Sequence, residues 1–223
     1  MNSQLTTQPI RLFLVRHGLT EMIASHRLHG QLDSPLTGAG IAGARAAADS
    51  FRSQPIDVLL SSPMGRALQT AGIIGETIGK EPIAVDGLKE RHYGWLEGRS
   101  LDIVDSRIKK SWLTRQFIRF ANRCSGESLD HFCSRIVGTT DEILTRHAGQ
   151  SVILVVHWGI LSIISEYLLK GNVDDWQSAG PWAACGITEL YANGRGWQAV
   201  RINDDSHLSH IEAHRLPAAT IGI

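Results

Sequence analysis

At 223 residues, 43% hydrophobic and 20% charged, the chain has the length for one domain with a sizeable core. Lysine plus arginine and aspartate plus glutamate balance at 22 each, which excludes a globally basic nucleic-acid binder and an acidic solvating tail but allows a local basic pocket. Cys124, Cys133 and Cys185 show no CxxC spacing and read as free thiols of a reducing cytoplasm. The polar start Met1–Pro9 does not resemble a signal peptide, and apolar runs such as Val152–Val156 are too short to span a bilayer.

Ile10–Val15 is expected as the first strand, followed by a polar segment, Thr20–Gly30, that forms a loop with a short helix. Thr37 is placed to cap an alanine-rich helix over Gly38–Phe51. Ile56–Leu60 is the second expected strand, and Met64–Ile78 carries apolar residues at helical spacing. Pro82–Val85 is a short strand. Asp86–Ser100, with its glycines and charges, reads as a long functional loop. A basic amphipathic helix is expected over Asp105–Asn122, and a second helix, capped by Ser128, to about His147. Val152–Val156 is rich in β-branched residues and reads as a central strand that ends at His157, with a helix over Ile160–Leu169. Gly186–Tyr191 and Trp197–Ile202 form a hairpin across Asn193-Gly194, and the polar tail from Asn203 is expected to be partly mobile. Strands alternating with helices predict the α/β class: a mostly parallel sheet with an antiparallel edge portion.

Three segments then end alike. The first strand delivers Arg16 and His17, the second leads into a helix carrying Arg66, and the central strand delivers His157. In a parallel sheet these groups share one edge, where open α/β sheets bind ligands. Two arginines, two histidines and a helix N-terminus describe an anion pocket, and phosphate is the anion expected. A histidine among arginines is pushed toward its neutral, nucleophilic form, and Glu90 in the glycine-rich loop can supply a proton to a leaving alkoxide.

The stretch Leu14-Val15-Arg16-His17-Gly18-Leu19-Thr20-Glu21 resembles the opening signature of the histidine phosphatase superfamily, the phosphoglycerate-mutase-like fold. Further blocks follow in that family's order: Gly30 and Asp33 through Thr37 and Gly40, Ser61-Ser62-Pro63 with Arg66, Leu88 and Glu90 with Gly94 to Gly98, Gly126-Glu127-Ser128, His157 with Gly159, and Asn203 to Leu208. Six blocks in order over most of the chain are specific where any one is weak. The resemblance implies a three-layer fold with helices on both faces, and one domain over 1–223 with a helical and loop insertion at about 86–147 above the site. It also implies that His17 becomes phosphorylated, that Arg16, Arg66 and His157 hold the phosphoryl oxygens, and that Glu90 serves as acid and then base. No metal or cofactor is expected. Thr20, Trp158, Arg91 and Tyr93 are expected as further substrate or phosphate contacts. The expected partners are a small phosphorylated substrate, with no nucleic acid and no membrane; a homodimer is allowed.

Three residues depart from the family pattern. Ile23 stands where the family usually has a polar phosphate ligand, Trp158 where it tends to have glycine, and Leu19 where acid is common. Reduced or unusual activity is therefore expected. A metal-independent phosphatase of the histidine acid-phosphatase type is preferred. Glu90-Arg91-His92-Tyr93-Gly94 resembles cofactor-dependent phosphoglycerate mutases, which is the alternative. A catalytically weak binding or scaffold protein on the same fold is the alternative of another class. His207, His210 and His214 have a spacing that could serve a metal, but a packing role is preferred. His26 and His29 read as loop residues that could rim the pocket. Trp182 is the tryptophan singled out for substrate contact.

Overall fold

Alternation decides which way each strand faces. In strand β1 (Ile10–Arg16), Ile10, Leu12 and Leu14 point to one side of the sheet, and Phe13 and Val15 to the other. Because all five are apolar, the strand is buried on both faces, as a central strand covered by two helical layers must be. The computed structural model describes residues 8–101 and 125–211. Among them a six-stranded sheet runs in the order β3 (Ile83–Ala84), β2 (Val58–Ser61), β4 (Ser151–Val156), β1, β5 (Ile187–Ala192) and β6 (Trp197–Asp204). The first four are parallel; β5 runs antiparallel to β1, and β6 to β5. This is the expected mostly parallel sheet with an antiparallel edge.

One face carries helices α2 (Gly38–Phe51) and α3 (Gly65–Ile78), which pack Ala44, Ala47, Phe51, Ala67, Ala71 and Ile74 onto Phe13, Val15 and Leu59. The other carries α4 (Leu129–Arg146) and α5 (Trp158–Lys170), which bring Phe132, Ile136, Ile160 and Ile164 onto Leu12, Leu14 and Leu154. Helix α1 (Glu21–Ala24) is a single turn beyond β1. Thr37 caps α2 by accepting from the Gly40 N–H, and Ser128 caps α4 by accepting from that of His131, as their positions predict. Gly40 has a tertiary reason: a Cβ there would collide with the Leu19 carbonyl, so glycine lets α2 lie directly against the segment that follows His17.

Three expectations need correction. Helix α5 begins at Trp158, two residues earlier than periodicity suggests, so that His157 is itself the N-cap. Strand β2 is shifted to Val58–Ser61, because the Asp57 N–H is held by the Ser151 carbonyl before the ladder proper begins. The part of the polar tail from Asn203 to Ile211 is ordered: β6 continues through Asp204, and Leu208 is fully buried on the face covered by α2. The helix expected over 105–122 lies outside the described residues, as do Cys124 and His214.

Candidate active site

Sheet register assembles the site. Arg16 pairs with Val156 and Ser61 with Val155, so the three strands end level. One residue further on, the His17 N–H donates to the Val156 carbonyl (2.9 Å) and the Ser62 N–H to the Val155 carbonyl (3.0 Å). His17, Ser62 and His157 thus meet at the carboxyl edge of the sheet. The rings of His17 and His157 are 5.1 Å apart between centroids.

His17 is buried, and its Nδ1 lies 2.9 Å from the Gly18 carbonyl oxygen. A carbonyl only accepts, so Nδ1 carries the proton and Nε2 keeps its lone pair. Burial first, then the charges of Arg66 and Arg16, hold the imidazole well below its ordinary range of protonation. The ring is a neutral base with its nucleophilic nitrogen bare.

His157 is almost fully buried, with Nε2 at 2.8 Å from Ser62 Oγ. Ser62 is fully buried and also accepts from the Met64 N–H (3.3 Å), and His157 Nε2 is the acceptor within reach of its hydroxyl proton, so the proton goes there. The His157 proton is then on Nδ1, which has no protein partner. Desolvation, followed by Arg66 and the neighbouring histidines, keeps this ring neutral as well.

The guanidiniums are fixed from behind. Arg66, 1% exposed, donates from Nη2 to the Gly30 carbonyl (2.8 Å) and from Nη1 to the Leu32 carbonyl (2.9 Å), and lies 3.5 Å from Asp33 Oδ1. Asp33 also accepts from the N–H groups of Gly65 and Arg66, capping α3 from a distant loop where Met64 has no side-chain cap to offer. Arg16 donates from Nη1 to the Trp182 carbonyl (2.6 Å), and burial lowers its pKa to about 10, still leaving it charged at neutral pH. Among the described residues Arg16 Nε, Arg66 Nε and His157 Nδ1 are buried at this edge without a partner, and Trp158 Nε1 and Ser165 Oγ on α5 are also unpartnered. Buried donors are almost always satisfied in folded proteins, so three unsatisfied ones at a single edge mark a place for an acceptor-rich anion.

Glu90 arrives from the 86–98 loop, which Arg135 holds to α4 by donating to the carbonyls of Gly87 (2.8 Å) and Lys89 (2.9 Å). Its carboxylate accepts from the N–H groups of Arg91 (2.9 Å) and Gly159 (3.2 Å). Burial raises its pKa above the ordinary carboxylate value, against the pull of those bonds and the two arginines.

The remaining expected contacts fall differently. Thr20 is fully buried, with Oγ1 committed to the Ile23 N–H (3.3 Å) and to His29 Nε2 (2.9 Å). Trp158 turns its ring onto Trp176 in the core layer, at 6.2 Å between centroids. Arg91 donates to the Glu127 carbonyl (3.0 Å) and stacks over the Tyr93 ring (5.1 Å), and burial pushes the Tyr93 phenol up. Trp182, singled out for substrate contact, is buried, and its Nε1 donates to Ser162 Oγ (2.7 Å). Its link to the site is the carbonyl that orients Arg16. His207 has the packing role, its ring at 3.1 Å from the Cys185 carbonyl oxygen. Leu19 lies in an apolar lining with Gly43, Cys185 and Leu208, which explains why an acid is not needed there. The residue underrated by sequence is His29, which is buried and sits beside His17.

A bare imidazole nitrogen, unsatisfied donors near it and a carboxyl whose pKa is raised by burial suit transfer of a phosphoryl group to nitrogen. The comparisons agree with that geometry. The model of the histidine phosphatase superfamily (branch 1) matches residues 12–205. A Yersinia pestis protein named "Probable phosphoglycerate mutase GpmB" is 34% identical over 163 residues, covering 72% of this chain and 75% of that one. The structure of mycobacterial glucosyl-3-phosphoglycerate phosphatase in complex with VO3 is similar with a TM-score of 0.73 at 28% identity, covering 86% of this chain and 98% of that one. Phosphoglycerate mutase from Bacillus anthracis str. Sterne, 22% identical, shares the fold with a TM-score of 0.76 over 91% of this chain and 96% of its own. The chain belongs to the histidine phosphatase superfamily.

Proposed function

We propose that the protein is a phosphoric monoester hydrolase that acts on a small phosphorylated metabolite through a phosphohistidine at His17, without a metal. The observation that carries this reading is the trio of unsatisfied donors, Arg16 Nε, Arg66 Nε and His157 Nδ1, around a neutral His17. The arginines supply the charge neutralisation that a divalent cation provides in other phosphoryl-transfer sites.

His17 Nε2 attacks phosphorus, the bond from phosphorus to the ester oxygen breaks, and Glu90 gives its proton to the departing alkoxide. The imidazole becomes positively charged on phosphorylation, and the Gly18 carbonyl, already accepting from Nδ1–H, stabilises that charge. Glu90, now a carboxylate, takes a proton from water as the water oxygen attacks phosphorus and the P–N bond breaks. Inorganic phosphate leaves, His17 is neutral again, and Glu90 is again protonated.

The test is steady-state hydrolysis of p-nitrophenyl phosphate together with trapping of the phosphoenzyme by an alkaline detergent quench. The wild type is expected to turn over and to give acid-labile phosphohistidine, and His17→Ala to give neither. Turnover by His17→Ala at the wild-type rate would overturn the reading, and an inert wild type would favour the scaffold alternative. A second reading, a cofactor-dependent mutase, is favoured by the name of the Yersinia relative and by Arg91 and Tyr93 following Glu90. Acceleration of 3-phosphoglycerate isomerisation by 2,3-bisphosphoglycerate would establish it. The phosphatase is preferred because Arg91 is engaged with the Glu127 carbonyl and the Tyr93 ring, and because the neighbour at 28% identity is named as a phosphatase.

A further inference from the structure

Glu90 lies between two short 3-10 turns, Asp86–Leu88 and Gly94–Leu96, and belongs to no helix or strand, so its aim has to be set by contacts from outside its own segment. Its carboxyl group is gripped through both oxygens, Oε2 by the Gly159 N–H and Oε1 by the Arg91 N–H. The Gly159 N–H sits in the first turn of α5 and is fixed by that helix. The Arg91 N–H belongs to the loop, in the peptide unit that joins Glu90 to Arg91. A planar trans peptide points its N–H and its C=O in opposite directions, so holding the carbonyl aims the N–H. That Glu90 carbonyl accepts from Gln31 Nε2 (3.0 Å). A carbonyl only accepts, so the side-chain nitrogen of Gln31 is the atom that faces it.

Gln31 is in turn held in place. Its N–H donates to Glu97 Oε1 (2.9 Å), which also accepts from the Tyr93 N–H (2.8 Å) of the Glu90 loop. The Glu97 side chain is buried, and Gly30 has to be glycine, at a φ of +59°, because a Cβ there would overlap that carboxylate. The Gly98 N–H on the Leu28 carbonyl (2.8 Å) and the Leu28 N–H on the Arg99 carbonyl (2.9 Å) continue the same seam. The two neighbours of Gln31 serve the other partner: the Gly30 and Leu32 carbonyls are the ones that hold Arg66. One tripeptide thus fixes the guanidinium with its backbone and the peptide of the acid with its side chain.

We infer that Gln31 is a positioning residue for Glu90: it sets the plane of the Glu90–Arg91 peptide and, through the Arg91 N–H, the direction of the carboxyl group that protonates the leaving alkoxide. This rests on the phosphoryl-transfer reading of the site. Arg135 secures the loop at the carbonyls of Gly87 and Lys89, so losing the Gln31 amide frees this one peptide without freeing the loop. Arg66 is held by main-chain carbonyls, which a change of side chain at residue 31 leaves in place. The effect should therefore fall on the proton transfer and spare the binding of phosphate.

The experiment compares wild type, Gln31→Met, Glu90→Gln and the double variant on β-glycerophosphate and p-nitrophenyl phosphate, with inhibition by inorganic phosphate alongside. Methionine keeps the length of the side chain and removes the donor. Gln31→Met is expected to lower kcat for β-glycerophosphate about 10-fold to 100-fold, the loss that follows from a misaimed catalytic group. Turnover of p-nitrophenyl phosphate, whose leaving group needs no acid, and inhibition by phosphate should change by no more than about 2-fold. In the Glu90→Gln background the same substitution should add nothing on β-glycerophosphate, because it acts through the acid. An equal loss on both substrates, a loss that persists in Glu90→Gln, or unchanged kinetics would each overturn the assignment. The amide proton of Arg91 reads the geometry without turnover. It is expected downfield in the wild type, as a donor to a carboxyl group, and should move upfield in Gln31→Met while that of Gly159 stays. An unmoved Arg91 resonance would also overturn the assignment. An inert wild type in which that resonance still moves would sink the hydrolase reading and leave the positioning of Glu90 by Gln31 standing.

Discussion

At the scale of single residues, His17 and Glu90 both feel the charges of Arg66 and Arg16, and their pKa values are shifted in opposite directions. Burial disfavours charge in both, which makes the imidazole a free base and shifts the carboxyl toward its acid form. Those are the forms that nucleophilic attack and leaving-group protonation require. Glu90→Gln keeps the shape and removes the transferable proton. It is expected to slow hydrolysis of alkyl phosphates by about 10²–10⁴-fold, with a much smaller effect on p-nitrophenyl phosphate, whose leaving group needs no acid. The pH dependence carries a sign. The acid must be protonated, so kcat for alkyl phosphates should fall as pH rises through the elevated Glu90 pKa, and that alkaline limb should be missing in the glutamine variant. A limb that persists would assign the acid to another group.

At the scale of elements, the site depends on how loops grip helix starts. Helix α3 lacks a cap from its own Met64, and Asp33 supplies one from 32 residues upstream while standing 3.5 Å from the Arg66 guanidinium. The same carboxylate thus caps α3 and holds the Arg66 guanidinium. Because Asp33 is largely exposed, the ion pair itself contributes little, and the cap is the larger part. Asp33→Ala is expected to cost about 1–2 kcal/mol in chemical denaturation, and to raise KM severalfold by loosening Arg66 while kcat changes less. A stability loss with no change in KM would confine Asp33 to the helix.

At the scale of the whole molecule, the fold stores three neutral histidines, His17, His29 and His157, beside fixed positive charge. All three have folded-state pKa values below the ordinary value of about 6.5. The unfolded chain therefore binds more protons below that pH, and the stabilisation present above it is lost as pH falls, down to about 3 for His29. Each histidine should lose about 1 kcal/mol between pH 6.5 and 5.5. Glu90, its pKa raised by burial, acts in the opposite sense and offsets part of that loss. The net expectation is a fall in stability over that unit, to which His207, its pKa also lowered by burial, adds in the same sense. Denaturant titrations at the two pH values check it, and the fall should be smaller by one group in His29→Gln. No helix among the described residues is long and apolar enough to cross a membrane.

The sequence by itself determined the sheet and the parts of the site that sit on it. Apolar runs ending in Arg16-His17 and His157 announce two parallel strands, and parallel strands of one sheet deliver their ends to one edge, so local pattern sufficed for His17, Arg16, Arg66 and His157 to be read as one pocket. The order of motif blocks added Glu90, whose loop has no periodicity of its own. Tertiary structure alone decided the rest. It decided that Thr20 spends its hydroxyl on His29, that Trp182 serves through its carbonyl while its indole is buried, that Arg91 turns to Glu127, and that the polar stretch after Asn203 is anchored by Leu208. The physical reason is the same each time. Strand direction and helix period are written in neighbouring residues, whereas the partner of a buried donor is set by where a distant loop comes to rest, and burial obliges the donor to find one.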